Sequence, residues 1–289
     1  MKVLVIGGTG TVGSQTVKEL LQKNMEVHVL TRDPEKAKSL PEGAKAVIGN
    51  ILDPETVKSI FKGMDGVFML NPVSTEETTE GLFAINGARM AGVKRFVYMS
   101  VQDIEKAVHL PHFGSKLSIE TALKDSGIPY TILRPNNFYQ NDYWFKDAIL
   151  QYGVYPQPLG NKGTSRVDVR DIAELAAIAM TSDEHEGKTY NLVGPEPLTG
   201  PGTAELWSKA LGKKVSYGGD DLEAWEQQSL QYLPAWMVFD FKLMYDHFQR
   251  NGFYGTQEDV NRLTEVLGHA PRRFEDFAKE TAEQWSVLA

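Results

Sequence analysis

The sequence of 289 residues contains no cysteine. Disulfide bonds, thiolate nucleophiles and cysteine-ligated metal sites are therefore excluded, and the absence fits a reducing cytosol. Long apolar runs are missing as well, since the opening run Val3–Ile6 ends after four residues at two glycines. A signal peptide needs about 7–15 apolar residues and a membrane span needs about 20. We therefore expect a cytoplasmic protein with no membrane partner.

Positive charge is in the minority, with 30 lysines and arginines against 38 aspartates and glutamates and a formal net charge of −8. An acidic surface repels phosphate backbones, so we expect no nucleic-acid partner. Apolar residues make up 42% of the chain, which is ordinary for a globular protein. The length suits one large α/β domain with a smaller lobe.

Short apolar runs alternate with helical patterns over the first 135 residues. The predicted strands are Val3–Ile6, Val27–Leu30, Ala46–Ile48, Val67–Leu70, Phe96–Met99 and Tyr130–Leu133. The predicted helices start near Val12 and cover Asp53–Lys62, Thr78–Ala91 and Phe113–Ser126. Strands alternating with helices form βαβ units, and continuous apolar strands are covered on both faces. The pattern predicts an α/β fold with a Rossmann-type, doubly wound parallel sheet.

A glycine-rich turn directly follows the first predicted strand and opens the first helix. Its sequence is Gly7-Gly8-Thr9-Gly10-Thr11-Val12-Gly13. Gly7 permits the tight turn, Gly10 lets a pyrophosphate approach the backbone, and Gly13 allows close packing of helix on strand. The free N–H groups of the helix N-terminus bind the anion. We therefore predict a nicotinamide dinucleotide site formed by Gly7, Thr9, Gly10, Thr11, Val12 and Gly13.

The end of the second strand indicates which dinucleotide binds. In this fold an acidic residue about 20 positions after the glycines binds the adenosine ribose. Here the strand ends at Thr31 and is followed by Arg32, whose guanidinium suits a 2′-phosphate. Asp33 complicates this reading, although it also suits the N-cap of the next helix. We expect NADP(H) to be preferred over NAD(H), with Arg32 as a cofactor-binding residue.

The pattern changes after Pro135. Residues 136–155 are aromatic and polar, whereas Val167–Met180 predicts a short strand followed by a helix. The remainder predicts a small, mostly helical C-terminal lobe. The predicted domains are an NADP(H)-binding Rossmann domain at 1–155, a segment at 165–193 that packs back on it, and a substrate-covering lobe at 156–289.

Several blocks of the sequence resemble the atypical short-chain dehydrogenases, and within them the NmrA-like group. The blocks are Gly49-Asn50, Ala91–Ser100, Ser115-Lys116, Thr131–Phe138, Val167–Ile172 and Gly187–Leu192. This group includes NADPH-dependent quinone reductases, triphenylmethane-dye reductases and cofactor-sensing regulators. The resemblance implies a reductase or a sensor built on one nucleotide-binding fold.

The chain departs from the short-chain dehydrogenases at their tyrosine–lysine pair. That pair has the spacing Tyr-x-x-x-Lys, with the tyrosine as general acid and the lysine on the nicotinamide ribose. Here the same spacing joins His112 to Lys116. The resemblance implies that Lys116 holds the ribose, while His112 is either a proton donor or only a helix-start residue that lines the pocket. The loss of the tyrosine argues against alcohol oxidation and sugar epimerisation.

The resemblance also implies further site residues at the ends of the strands. Ser100 takes the place of a catalytic hydroxyl, and without the tyrosine it is expected to hydrogen-bond cofactor or substrate. The implied cofactor contacts are Asn50, Asn71, Pro135, Asn137 and Phe138. The pair His109 and His112 lacks a third histidine or a clustered carboxylate, so we expect no metal site.

Aromatic residues are concentrated after Pro135. Met237, Phe241, Met244, Tyr245 and Phe248 repeat at helical spacing, which usually marks a core-facing stripe. The alternative is that the edge of this stripe lines an apolar pocket for an aromatic substrate. The residues predicted for that pocket are Tyr139, Tyr143, Trp144 and Trp236.

These observations predict an NADPH-dependent oxidoreductase that passes a hydride to a small conjugated or aromatic acceptor, such as a quinone or a dye. The alternative is a catalytically silent NADP(H) sensor that acts through a protein partner. An epimerase or dehydratase is disfavoured by His112. The acceptor and the oligomeric state do not follow from the sequence.

Overall fold

The computed structural model describes residues 1–287, which form two compact units. The first unit combines Met1–Pro135 with Val169–Tyr190, and the second combines Asn136–Asp168 with the chain from Asn191 onward. The sequence assigns 136–155 to the first domain, whereas the structure groups these residues with the second unit.

The strands, in chain order, are β1 (Lys2–Ile6), β2 (Glu26–Thr31), β3 (Lys45–Ile48), β4 (Gly66–Met69), β5 (Arg95–Met99), β6 (Tyr130–Pro135), β7 (Val154–Tyr155), β8 (Lys188–Leu192) and β9 (Ser216–Tyr217). The first six agree with the predicted strands to within two residues at either end. Strand β8 follows the helix at Val169–Thr181 and is a seventh strand of the main sheet that the sequence analysis does not predict.

The helices are α1 (Thr11–Gln22), α2 (Pro34–Ala37), α3 (Pro54–Ile60), α4 (Glu77–Met90), α5 (Pro111–Asp125), α6 (Lys146–Gln151), α7 (Val169–Thr181), α8 (Gly200–Leu211), α9 (Leu222–Ser229), α10 (Ala235–Asn251), α11 (Gln257–Leu267) and α12 (Phe274–Val287). Short 3-10 helices lie at Ile104–Lys106, Tyr139–Phe145 and Asp183–His185. Among residues 1–287 we find no helix with the length and apolar character that a membrane crossing requires.

The main sheet has the strand order β3-β2-β1-β4-β5-β6-β8. The pairs β1 with β2, β2 with β3, β1 with β4, β4 with β5 and β5 with β6 are all parallel. The chain builds outward from β1 to β3 and then crosses back to place β4 on the other side of β1. This reversal creates a switch point between β1 and β4, the place where doubly wound folds bind ligands. The predicted Rossmann-type sheet is confirmed.

Side chains of the central strands alternate between two buried faces, as the strand period of two requires. On one face Leu4 and Ile6 join a core cluster with Ile85 of α4 and Ile119 of α5. The neighbouring residues of β1, among them Val5, are also fully buried. Helix α1 packs against α7 within this unit. Burial on both faces explains why these strands read as continuous apolar runs.

The second unit is mostly helical, as predicted, and adds a parallel pair of short strands, β7 and β9, that the sequence does not reveal. Its core contains Trp207 and Trp285, whose rings stack with centroids 5.0 Å apart. The predicted strand before α7 is wrong, because Val167 makes only a single bridge with Phe138. The aromatic stripe of α10 mainly faces the core, as Met244, Tyr245 and Phe248 are buried.

Candidate functional site

The glycine turn after β1 depends on the absence of side chains at two positions. Gly7 has a φ of +84°, and a Cβ on Gly7 would lie 2.3 Å from the carbonyl oxygen of Leu70. A Cβ on Gly13 would lie 2.1 Å from the carbonyl oxygen of Gly7. The first glycine therefore permits the close approach of the turn to the end of β4, and the second lets α1 pack onto the turn.

Gly10 is different, because its Cβ position is open on the protein side. A Cβ there would meet only the carbonyl oxygen of Gly7, at an ordinary 3.5 Å. No side chain caps the N-terminus of α1 at Gly10, and Gly10 and Thr11 are both exposed. Uncapped N–H groups at a helix N-terminus attract anions. The geometry fits the pyrophosphate of a dinucleotide, and Val12 anchors the helix by its burial.

The end of β2 presents Arg32 at the surface. Asp33 is engaged locally, since its carboxylate accepts a hydrogen bond of 2.9 Å from the backbone N–H of Glu35 and caps α2. Its own backbone N–H donates to Thr31 Oγ1 over 3.2 Å. Asp33 is therefore the N-cap that the sequence allowed, and Arg32 makes no ion pair with any residue between 1 and 287 in this structure.

Two asparagines lie just after strands on either side of the turn. The side-chain oxygen of Asn50 accepts a hydrogen bond of 3.1 Å from the backbone N–H of Leu52, so it shapes the loop before α3. Asn71 is buried and donates through Nδ2 to Glu80 over 3.2 Å. Within residues 1–287, Asn71 Oδ1 has no hydrogen-bond partner. A buried polar atom without a protein partner is typical of a ligand site.

A buried polar cluster surrounds Lys116 in the first unit. Lys116 lies in α5, and its ammonium donates to the carboxylate of Glu77, the first residue of α4. His112 lies one turn before Lys116 and acts electrostatically on the same carboxylate. Burial raises the pKa of Glu77, and the attraction of Lys116 opposes that rise without cancelling it. The predicted pair His112 and Lys116 therefore shares its surroundings with a glutamate that the sequence analysis missed.

The end of β5 contributes two hydroxyl groups to this region. Ser100 is buried directly after β5, and its backbone N–H donates to the carbonyl of Leu133 over 2.7 Å. Tyr98 is fully buried, and its hydroxyl finds no hydrogen-bond partner among the described residues. Burial raises the pKa of Tyr98 well above its usual value, and the neighbouring Glu77 and Glu120 add to the effect. Tyr98 could have been predicted from the sequence, because it lies two positions before Ser100 at the carboxyl end of β5 and residues two positions apart in a strand share a face.

The predicted contacts Pro135, Asn137 and Phe138 follow β6. The carbonyl of Pro135 accepts a hydrogen bond of 3.1 Å from the backbone of Gln102. In the second unit, Arg166 donates to the side chain of Asn137 over 3.2 Å and to the carbonyl of Phe138 over 2.6 Å. These bonds fix the backbone after β6, while the cofactor contacts of all three residues remain predictions.

Arg166 is fully buried and pairs with the carboxylate of Asp142 over 2.7 Å. Tyr155 accepts a further hydrogen bond of 3.1 Å from the same guanidinium. This network joins the segment after β6 to β7. It explains why residues 136–155 group with the second unit rather than with the Rossmann domain.

The four aromatic residues predicted to line a substrate pocket differ in burial. Tyr139 is fully buried against Phe274 and Phe277, and its hydroxyl donates to the carbonyl of Arg272. Its side chain therefore belongs to the core of the second unit. Exposed fractions of the others are 42% for Tyr143, 72% for Trp144 and 40% for Trp236. Their contact with a substrate remains a prediction.

Comparison with known proteins supports the architecture and the class of enzyme. The model of the NmrA-like family matches residues 1–278. The NAD(P)H azoreductase of Xenophilus azovorans is 31% identical over 97% of this chain and 98% of its own length. These two matches cover almost the whole chain, including the second unit.

Two solved structures share the fold. The Citrobacter sp. triphenylmethane reductase complexed with NADP(H) is 25% identical, with a TM-score of 0.83 over 97% of this chain and 99% of its own. The Escherichia coli quinone oxidoreductase QOR2 complexed with NADPH is 22% identical, with a TM-score of 0.85 over 96% and 99%. The predicted nicotinamide-dependent reductase is confirmed as a class, and the chain belongs to the NmrA-like family.

Proposed function

We propose that the protein uses NADPH to reduce a small conjugated or aromatic acceptor, such as a quinone or a dye, by direct hydride transfer. The observation that carries the proposal is the buried Lys116, which retains the lysine of the short-chain dehydrogenase pair while His112 replaces the tyrosine. A site that keeps the ribose-binding lysine without the phenolic acid suits acceptors that take a hydride without enzymatic protonation.

Binding of the dinucleotide involves three parts of the first unit. The N–H groups around Gly10 and Thr11 hold the pyrophosphate, and Arg32 pairs with the 2′-phosphate of the adenosine ribose. Lys116 donates hydrogen bonds to the nicotinamide ribose. Asp33 caps α2, and its carboxylate already accepts a hydrogen bond from the backbone N–H of Glu35. This supports the preference for NADPH, because the carboxylate is engaged in the cap rather than available for the adenosine ribose.

The bound nicotinamide supplies the hydride, and the protein supplies orientation. Lys116 fixes the ribose, and a misplacement of about 1 Å costs roughly 100-fold in rate. An electron-poor acceptor such as a quinone becomes an anion after accepting the hydride, and water supplies the proton that neutralises it. Under this proposal His112 is not needed as an acid.

The character of the relatives supports this choice of acceptor. One is named an NAD(P)H azoreductase, and another a triphenylmethane reductase crystallised with NADP(H). Both names describe reduction of extended conjugated molecules.

A panel of quinones, azo dyes and triphenylmethane dyes tests the proposal. We expect NADPH absorbance to fall with at least one acceptor class, and Gly10→Val, which lacks the pyrophosphate site, to give only the background rate. NADPH binding without oxidation by any acceptor would contradict the enzyme and favour the sensor. Absence of NADPH binding would contradict both.

A further inference from the structure

Glu77 is a buried carboxylate placed by the fold against the lysine of the candidate site. It is the first residue of α4 and has no exposed surface. Its Oε1 accepts a hydrogen bond from Lys116 Nζ, although the two residues are 39 positions apart. Both side chains belong to the first unit, so the pair is a property of that unit alone.

The contact follows from the packing of α4 on α5. Gly81 lies one turn after Glu77, and a Cβ on Gly81 would fall 2.5 Å from two carbons of Ile119, three residues after Lys116. Thr78 Oγ1 also donates to the carbonyl of Ser115 over 3.5 Å. The helices are therefore pressed together at the level where Glu77 meets Lys116, which leaves the ammonium little freedom to move.

Nearby charges stabilise the buried pair of Glu77 and Lys116. Glu77 lies in the first turn of α4, where the helix dipole favours a negative charge. Burial raises the pKa of its carboxyl, and Lys116 and then His112 counteract this rise. A lysine ammonium has three N–H donors, so one bond to Glu77 leaves two donors for the hydroxyls of a ribose.

The other glutamate of the first turn of α4 has a different role. Glu80 is buried as well, but its carboxylate accepts from Asn71 Nδ2. Glu77 is thus the glutamate of this turn that bonds to Lys116. Its second oxygen, Oε2, is buried without a hydrogen-bond partner within residues 1–287. The side chain is held in place by Lys116 and by burial.

We propose that Glu77 is a positioning residue, whose buried carboxylate holds the Lys116 ammonium where it binds the nicotinamide ribose. This inference rests on the proposed role of Lys116 in binding NADPH. Glu77 touches neither cofactor nor acceptor in this scheme. It acts through Lys116, and its effect must disappear when Lys116 is absent.

A double-mutant cycle of Glu77→Gln and Lys116→Met tests the proposal. We expect Glu77→Gln to lower kcat by roughly 10- to 100-fold, since a slightly misplaced reactant costs about this much. The KM for NADPH should change far less. Lys116→Met should lower kcat at least as far, and the double variant should match Lys116→Met within about twofold. An equal fall of kcat in both backgrounds would show that Glu77 acts independently of Lys116 and overturn the proposal.

Glu26→Gln is the control. Glu26 is the first residue of β2, at the opposite end of the strand from Arg32, and its carboxylate pairs with Lys45 over 2.7 Å, so the substitution also removes a carboxylate from its cation. We expect Glu26→Gln to leave kcat within about twofold of the wild type. A comparable fall of kcat in Glu26→Gln would mean that any broken ion pair of this unit slows turnover, which would contradict a specific role for Glu77.

Folding is the practical hazard, because Glu77→Gln leaves the Lys116 ammonium buried without its counter-ion. If this single variant does not fold, the comparison of the double variant with Lys116→Met still decides, since neither protein carries the ammonium. Equal kcat supports the proposal, and a further loss in the double variant contradicts it.

A binding titration separates this inference from the proposed function. If no acceptor oxidises NADPH, the dissociation constant of NADPH replaces kcat in the same cycle. Glu77→Gln should then weaken NADPH binding only modestly in the wild-type background, in line with the small change expected in KM, and should leave the affinity of Lys116→Met for NADPH unchanged. If NADPH binds and Lys116→Met has no effect on affinity or rate, both proposals fail. If only the Glu77 arm lacks an effect, the positioning role alone fails.

Discussion

Gly81 of α4 lies so close to Ile119 of α5 that a Cβ on the glycine would fall 2.5 Å from both Cδ1 and Cγ1 of the isoleucine. Because Ile119 is fully buried in the core cluster, it has little room to move away. The glycine lets the two helices approach, and the approach brings Glu77 and Lys116 into contact.

Gly81→Ala should therefore destabilise the protein despite the higher helix propensity of alanine. Overpacking of a core costs about 1–3 kcal/mol, whereas the propensity gain is at most about 1 kcal/mol. Urea unfolding measures the loss. Ile119→Ala removes the three contacted atoms, so Gly81→Ala should cost much less in that background. An equal cost in both backgrounds would contradict the steric explanation.

The glycine turn predicts opposite outcomes for two glycines. Gly10→Val should fold, because Gly10 has an ordinary extended backbone with φ −87° and ψ 177° and an open Cβ position. It should lose NADPH binding, since the side chain occupies the space of the pyrophosphate. Gly13→Val should lower the Tm of the ligand-free protein, because its Cβ would lie 2.1 Å from the Gly7 carbonyl. Calorimetry without cofactor and a fluorescence titration with NADPH separate the two effects, and normal NADPH binding by Gly10→Val would contradict the placement of the site.

Much of this arrangement can be predicted from the sequence. The positions of the first six strands along the chain and the place of the glycine turn follow from local patterns, because apolar runs and glycines reflect the conformation of the nearby backbone. The role of Asp33 as a helix cap was also readable from the following Pro34. In these cases a few adjacent residues determine the structure.

The pair of Glu77 and Lys116 was not predictable in the same way. The two residues come from different helices and meet only because α4 packs tightly on α5 at Gly81. A glutamate in the first turn of a helix is normally a solvent-exposed residue that suits the helix dipole. The short strands β7 and β9 escape prediction for a different reason, because a strand of two residues is too short to show a periodic pattern.

Arg32 should determine the choice between the two nicotinamide dinucleotides. Arg32→Ala should weaken the binding of NADPH by roughly 10- to 100-fold, since hydrogen bonds to charged groups contribute about 1.5–3 kcal/mol. The affinity for NADH should change little. Lys18→Ala removes another exposed cation of the first unit and serves as the control for net charge. Equal affinities of the wild type for NADPH and NADH would contradict the assignment.

The pair of Glu120 and Arg134 should make stability depend on pH. Burial raises the pKa of Glu120. The hydrogen bonds to its carboxylate, of which those from Arg134 are the strongest, and the positive charge of Arg134 together lower the pKa by more, so the net shift from 4.5 is downward. A lowered folded-state pKa adds stability above the unfolded pKa and loses it as the pH falls through the folded pKa.

At pH 7, Glu120→Gln should therefore destabilise the protein by about 1.5–3 kcal/mol, the usual contribution of hydrogen bonds to charged groups, because Arg134 keeps its pair with Glu105. The difference from the wild type should shrink as the pH falls below about 4.5. Denaturant unfolding at several pH values measures it. Glu55→Gln, which breaks an exposed pair with Lys58, should show a much smaller effect. A difference that grows on acidification would contradict the sign of the shift.

Substitution of His112 tests whether this residue or water protonates the reduced acceptor. His112 is the second residue of α5, is almost fully buried and packs edge-on against Phe113 with ring centroids 4.8 Å apart. If water protonates the reduced acceptor, His112→Phe should retain the shape of the rate–pH profile, even if the packing change lowers the rate uniformly. If His112 were the proton donor, it would contribute a limb to the rate–pH profile, and that limb would vanish in the variant. We expect the unchanged shape. The test measures kcat from pH 5 to pH 9 with one acceptor in the wild type, His112→Phe and His112→Gln. Only the loss of a proton donor removes the same limb of the profile from both variants, so this measurement distinguishes the two cases.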